Sequence, residues 1–359
     1  MADTKVIVLP TIGIGDLLMF TPSLRCVKRI YEEWEVDVFV MIDAAREVLM
    51  NNPHVDRLIY YPLLQDKIGG LKFVMSLRRE KYDYSLSIFP SNKKEYNLVS
   101  FLIGARYRLG HRYLVKDFQG LNFLNNRRVR QSGLEHGVFE NLKLAELMGA
   151  VCDRDEILRE GLDYFLTPSE RAIMHEIKGK SSLKLGVHPG SSSRKTNVRK
   201  RWPREKYVEL IRRFLSSFGN SEVYIFGGLE ERPLKQYIFE KVAVPDRTHI
   251  VDGSIREIAP VVAGMDLFLG NDSALIHLAA ALKIPTAVIY GPSNPAWTYP
   301  FGVPYRIIRL GLECSPCYHY SPKSLHCPSG RDFACLRELP VDLAFSSIVE
   351  FIDELGLRK

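Results

Sequence analysis

DLFLGNDSALIHLAAALKIPTAVIYG, residues 266–291, reads as a strand, a helix and a second strand. Leu267, Phe268 and Leu269 form a short run that is apolar on both faces, as a strand buried inside a parallel sheet requires, and Thr286 to Tyr290 repeats the pattern. The stretch Ser273 to Leu282 between them is helix-like, the usual crossover between parallel strands. Outward from this unit the alternation continues upstream through KLGVHP (184–189), EVYIFGG (222–228) and THIVDG (248–253), with a helix over Arg204 to Phe218. A last helix, Val341 to Leu355, could pack on either half of the chain.

The same rhythm fills the first half: strands VIVLP (6–10), VDVFVMI (36–42), RLIYYP (57–62) and YDYSLSIF (82–89), with helices over Asp16 to Glu33, Ala44 to Met50, Ile68 to Arg79 and Asn97 to Ile103. A polar, Lys-rich stretch, Ile177 to Lys184, separates the two series. The chain is 359 residues long with 46% hydrophobic composition, enough for two cores, so the sequence predicts two doubly wound α/β domains, 1–180 and 181–359. No apolar run approaches the ~20 residues that span a bilayer, and the N-terminus runs into a strand rather than a leader. A cytoplasmic protein is expected.

Three motifs fall at carboxyl ends of predicted strands, where ligands bind in such sheets. Thr11-Ile12-Gly13-Ile14-Gly15-Asp16 places two glycines and a carboxylate at a helix start. It lacks the third glycine of a dinucleotide fingerprint, and Asp16 is open to two readings, a helix N-cap or a general base. His188-Pro189-Gly190-Ser191-Ser192-Ser193 is followed by Arg194, Lys195, Arg199, Lys200 and Arg201, then Trp202-Pro203. Small hydroxyl residues and amides can wrap phosphate oxygens while the cations neutralise them, and the alternative is a polar surface loop. In Gly270-Asn271-Asp272-Ser273-Ala274-Leu275-Ile276-His277, Asp272 and Ser273 occupy the N-cap region and His277 lies a turn further on the same face.

The net charge of +7 is unevenly spread: Arg106, Arg108, His111, Arg112, Lys116, Arg127, Arg128 and Arg130 crowd one segment. That points to an anionic partner, or to a solvated loop. No helix-turn-helix, zinc-finger or RNA-recognition pattern accompanies it, so nucleic acid is not the expected partner. Cys26 and Cys152 stand alone, whereas Cys314-x2-Cys317-x9-Cys327-x7-Cys335 has a spacing that a tetrahedral metal or a set of free or partly oxidised thiols would both fit.

GIGDLLMFTPSLR (13–25), HPGSSSRKTNVRKRWP (188–203), FGGLEER (226–232) and GNDSALIHLAAALKIPTAVIYGPSNP (270–295) together resemble glycosyltransferase family 9, the heptosyltransferases of lipopolysaccharide core assembly. The resemblance implies a GT-B fold of two facing Rossmann-like domains, the acceptor on the first and ADP-heptose on the second. It also implies inversion at the anomeric carbon with no cofactor or catalytic metal. On it Asp16 corresponds to the base, Lys200 to the lysine on the donor phosphates, and Ser191 and Ser192 to phosphate-loop hydroxyls. Asp272, Ser273, Ala274 and His277 fall among donor contacts, Glu231 or Glu230 near the ribose, and Gly253 near the adenine. Arg106, Arg108, His111 and Arg112 fit recognition of an anionic glycan or lipid-linked acceptor. A peripheral position at the inner face of the inner membrane is compatible with the charge. Transfer of another sugar or to another acceptor, and a nucleotide- or nucleic-acid-binding protein without transfer, are the competing readings.

Overall fold

The computed structural model describes residues 4–9, 13–63, 65–192, 194–318 and 325–358, without the side chains of Lys67 and residues 194–196. It divides into two compact units that part between Phe165 and Leu166.

The first unit holds β1 (Lys5–Leu9), β2 (Glu35–Val40), β3 (Arg57–Tyr60), β4 (Tyr84–Ser87), β5 (Tyr107–Arg112) and β6 (Arg127–Arg130) in the order β3-β2-β1-β4-β5-β6, every pair parallel. The second holds β7 (Leu183–His188), β8 (Ser221–Phe226), β9 (Thr248–Val251), β10 (Leu267–Asn271), β11 (Thr286–Ile289) and β12 (Tyr305–Ile308) in the order β12-β11-β10-β7-β8-β9, again parallel throughout. Renumbered within each unit, both orders are 3-2-1-4-5-6. Strand order therefore reverses between β1 and β4 in one sheet and between β7 and β10 in the other, and doubly wound folds bind their ligands at such switch points.

The central strands are fully buried because helices cover both faces. Leu185, Val187, Ile225 and Leu269 pack with Trp202, Tyr207 and Phe214 beneath the second sheet, and Ile7, Leu9, Phe39 and Tyr82 share a core in the first. The first-unit helix Ile14–Ile30 tolerates Pro22 in its interior, where the ring removes the N–H that would bond the carbonyl of Leu18. The Thr21 hydroxyl takes that carbonyl instead, at 2.8 Å.

One expectation is revised and one open reading is decided. The helix Pro168–Gly179, placed in the first domain by a boundary at 180, packs against the helix Ile255–Ala263 of the second unit, with Glu170 paired to Arg256 and Ile177 lying against Gly264. Contacts outrank composition here, so the units part about fifteen residues earlier than the Lys-rich stretch indicated. The final helix, Val341–Glu354, lies on the second unit, against the helix Arg204–Ser217 and β12.

The cysteines also differ from expectation in part. Cys26 and Cys152 do not stand alone but form a disulfide within the first unit. Cys314, Cys317, Cys327 and Cys335 are unpaired thiols. Among the described residues no three His, Cys, Asp or Glu side chains are grouped as a metal ion would require.

Candidate functional site

His188 ends β7 and Asn271 ends β10, adjacent strands whose register pairs Gly270 with His188. The switch point of the second sheet is thus built from two of the three motifs. Asn271 has no exposed surface, and every polar atom of its side chain is used. Its amide donates to the carbonyls of Pro189 and Gly190, at 2.8 and 3.0 Å, and its oxygen accepts from the Trp202 amide and the Tyr207 hydroxyl, both at 3.0 Å. One side chain therefore pins both ends of the segment 189–202.

The His188 ring ties three strand ends together, with Nδ1 2.8 Å from the Ser273 hydroxyl after β10 and Nε2 3.0 Å from Glu231 after β8. Burial by itself would raise the Glu231 carboxyl, but His188, the Gly228 amide and Arg201 outweigh it and hold the group below the usual carboxylate range. An ionised Glu231 needs Nε2 to donate, which leaves Nδ1 facing the Ser273 hydroxyl. Gly190 is required by the same packing, since a Cβ there would lie 1.8 Å from Glu231 Oε1.

Lys200 closes a short 3-10 helix, Arg194–Lys200, and its ammonium lies 2.8 Å from Asp272 Oδ2 and 4.3 Å from the centre of the Tyr318 ring. A carboxylate and an aromatic face both attract a cation and together fix its position. The Asp272 side chain is only 10% exposed and also accepts from Thr298 at 3.3 Å. Its carboxyl is held below its ordinary value, burial being outweighed by Lys200. His277 is buried at 3% exposure, which pushes its pKa down to about 4 and leaves the ring neutral at neutral pH.

The remaining residues singled out in this unit take distinct places. Ser191 is buried, with its hydroxyl donating to the Asn197 carbonyl at 2.9 Å and accepting from Arg201 Nε at 3.2 Å, whereas Ser192 is exposed. Ser193 and the residues Thr11 and Ile12 of the first motif lie outside the described residues. Glu231 is a buried support, bonded at one oxygen to His188 and Gly228 and at the other to Arg201, while Glu230 is exposed. Ser273 is the N-cap residue and Ala274 the first residue of the helix Ala274–Ala281, but the Ser273 hydroxyl is spent on His188 rather than on the helix. Gly253, with φ of +148°, precedes the capped start of the helix Ile255–Ala263. Arg201, His188 and Asn271 escaped individual notice in the sequence, although each stands inside a motif that did not.

In the first unit Asp16 is not the N-cap of its helix. Gly13 holds that place, and Asp16 sits partly exposed in the first turn beyond the end of β1. Its charge adds to burial in holding the Tyr113 phenol protonated. Tyr113 in turn accepts from the Ser91 amide beyond β4, at 2.6 Å, so Asp16 stands at the switch point of its own sheet. The basic segment is less uniform than its composition. Arg106 and Arg112 are exposed, Arg106 lying over Tyr107. Arg108 donates to the carbonyls of Leu124 and Ala105, at 2.9 and 3.0 Å, and is an internal brace. His111 is 1% exposed and bonds the Glu140 carbonyl at 3.0 Å. Alternation along β5 turns His111 inward, so the four residues do not form one surface.

Two parallel sheets of 3-2-1-4-5-6 order, each carrying polar loops at its switch point, make up a GT-B fold. The model of glycosyltransferase family 9 (heptosyltransferase) matches residues 71–327, and the chain belongs to that family. It is 26% identical to lipopolysaccharide heptosyltransferase 2 of Salmonella typhimurium over 85% of this chain and 88% of that one. It is 25% identical to lipopolysaccharide heptosyltransferase 1 of Campylobacter coli, over 88% and 92%. The solved Escherichia coli ADP-heptose LPS heptosyltransferase II shares the fold at a TM-score of 0.74 and 21% identity, over 98% of this chain and all of the other.

Proposed function

We propose that this glycosyltransferase moves heptose from ADP-heptose onto the core of lipopolysaccharide, with inversion at the anomeric carbon. The observation that carries the reading is the Lys200–Asp272 pair at the switch point of the second sheet, beside the Asn271-pinned loop 189–202. An ammonium in that position neutralises charge on the diphosphate as the sugar leaves, and the Ser192 hydroxyl and loop amides supply donors around it. Asp16, in the first turn of the first unit's leading helix, is the base that takes the proton of the acceptor hydroxyl. Asp272, Ser273, Ala274 and His277 line the donor side, where Ser191 and Glu231 act as supports. Gly253 borders the adenine, because a β-carbon would narrow that turn. Arg106 and Arg112 are the exposed cations that meet the acceptor's phosphates and carboxylates, and the enzyme works at the inner face of the inner membrane.

Relatives named for the first and the second heptosyltransferase stand at nearly equal identity, 25% and 26%, so likeness does not choose between their acceptors. The test is incubation with a panel of nucleotide sugars and truncated core acceptors, with mass detection of the product. Transfer from ADP-heptose to a core acceptor is the expected result. Transfer from another nucleotide sugar while ADP-heptose stays intact would overturn the reading.

A further inference from the structure

The connection between β5 and β6 carries large apolar side chains into solvent. Leu114 is 53% exposed, Val115 49%, Phe118 77% and Phe123 47%, with the rings of Phe118 and Phe123 stacked at 5.2 Å. Their support is firm. Asn92 donates to the Val115 carbonyl at 2.7 Å, Asn97 donates to the Gly120 carbonyl at 2.7 Å, and Asp117 accepts from the Tyr113 amide at 2.8 Å. The fold thus holds these side chains outward on a hydrogen-bonded platform. Cations stand beside them: Lys116 lies within the same loop, and Arg112 pairs in register with Arg130, both exposed. The first residue of the loop after β5 is Tyr113, whose phenol feels the charge of Asp16.

Exposed apolar side chains in a loop that carries one lysine and is flanked by two arginines match the boundary of an anionic bilayer, where rings enter the acyl region and cations meet headgroup phosphates. A second copy of this chain fits less well, since it would set like charge against like. We infer that residues 114–123, with Arg112 and Arg130, dock the enzyme on an anionic lipid surface, at the end of the first sheet where Asp16 stands. The inference rests on the proposed transfer to a lipid-anchored acceptor for its purpose, but not for its test.

The test sediments the full chain with vesicles of phosphatidylcholine alone and of phosphatidylcholine mixed with phosphatidylglycerol. Binding only to the mixed vesicles, weakened by salt, is expected, and Leu114→Ser with Phe118→Ser should lower it by about tenfold or more. The same double variant should keep its rate of transfer to a delipidated, soluble acceptor. Phe118→Trp gives an independent measure, its emission shifting to the blue on mixed vesicles beyond any change in the wild type. Wild-type protein left in the supernatant, unchanged Phe118→Trp emission, or a solution dimer that Phe118→Ser dissociates would each overturn the inference. Undiminished binding by the double variant would overturn it too, whereas a wild type that binds the mixed vesicles and transfers no sugar would count instead against the proposed function.

Discussion

Asn271 shows how much of the loop 189–202 hangs on a single buried side chain. Replacing it by leucine strands two carbonyls, an amide and a phenol in a closed interior, where each unmet group costs on the order of 1–3 kcal/mol. Asn271→Leu should lower the unfolding free energy by several kcal/mol, about 3 or more, measured by urea titration. Little change would show that water replaces the lost partners. His277 adds a pH dependence. Its folded pKa of about 4 lies below the ~6.5 of an unfolded histidine, so the unfolded chain binds the proton first as pH falls. Stability from the neutral ring is therefore complete above pH ~6.5 and is lost on the way to pH 4. Urea midpoints across that range should fall for the wild type and flatten in His277→Gln. At this scale the sequence shows chemistry but not its direction. Glu231 and Ser191 are side chains that the family resemblance sets near the donor, and in the fold they turn inward to hold His188 and Asn197.

The elements most apparent in the sequence are those buried on both faces. β1, β10 and β11 are short apolar runs whose length and flanking residues mark them as strands, and β2, β7 and β8 keep most of that pattern around Asp37, Lys184 and Glu222. β5 and β6, YRLGHR and RRVR, read as a basic patch because strands near a sheet edge can be polar, and β12, YRII, is short and flanked by proline and arginine. The element carrying Cys314 to Cys335 has a role its thiols do not announce. Its Tyr318 and Phe333 rings lie under Lys200 and Arg199, at 4.3 and 5.7 Å. A cation on an aromatic face gains about 0.5–2 kcal/mol, so Tyr318→Leu should raise the donor KM by roughly 3- to 30-fold. Tyr318→Phe, which keeps the face, should stay near the wild type. Equal losses in both variants would point to the hydroxyl instead.

At the scale of the whole molecule, alternation along the chain predicts two doubly wound units, and the strand orders agree. The boundary was less legible because a solvated helix, Pro168–Gly179, has no fully buried residue and carries no sign of which sheet it serves. Each unit has its own core, so residues 166–359 expressed alone should fold and bind ADP without transferring sugar, as calorimetry and a transfer assay would show. Failure of that fragment to bind ADP would place essential donor contacts in the first unit. The proposed mechanism divides its labour between Asp16 in the first unit and the Lys200–Asp272 pair in the second. Its most direct measurement is single-turnover transfer by Asp16→Asn beside its affinity for ADP-heptose. ADP-heptose affinity should stay close to the wild type while transfer slows by about 10²–10⁴-fold, the usual worth of a general base. Transfer near the wild-type rate, or lost transfer accompanied by lost ADP-heptose affinity, would contradict it.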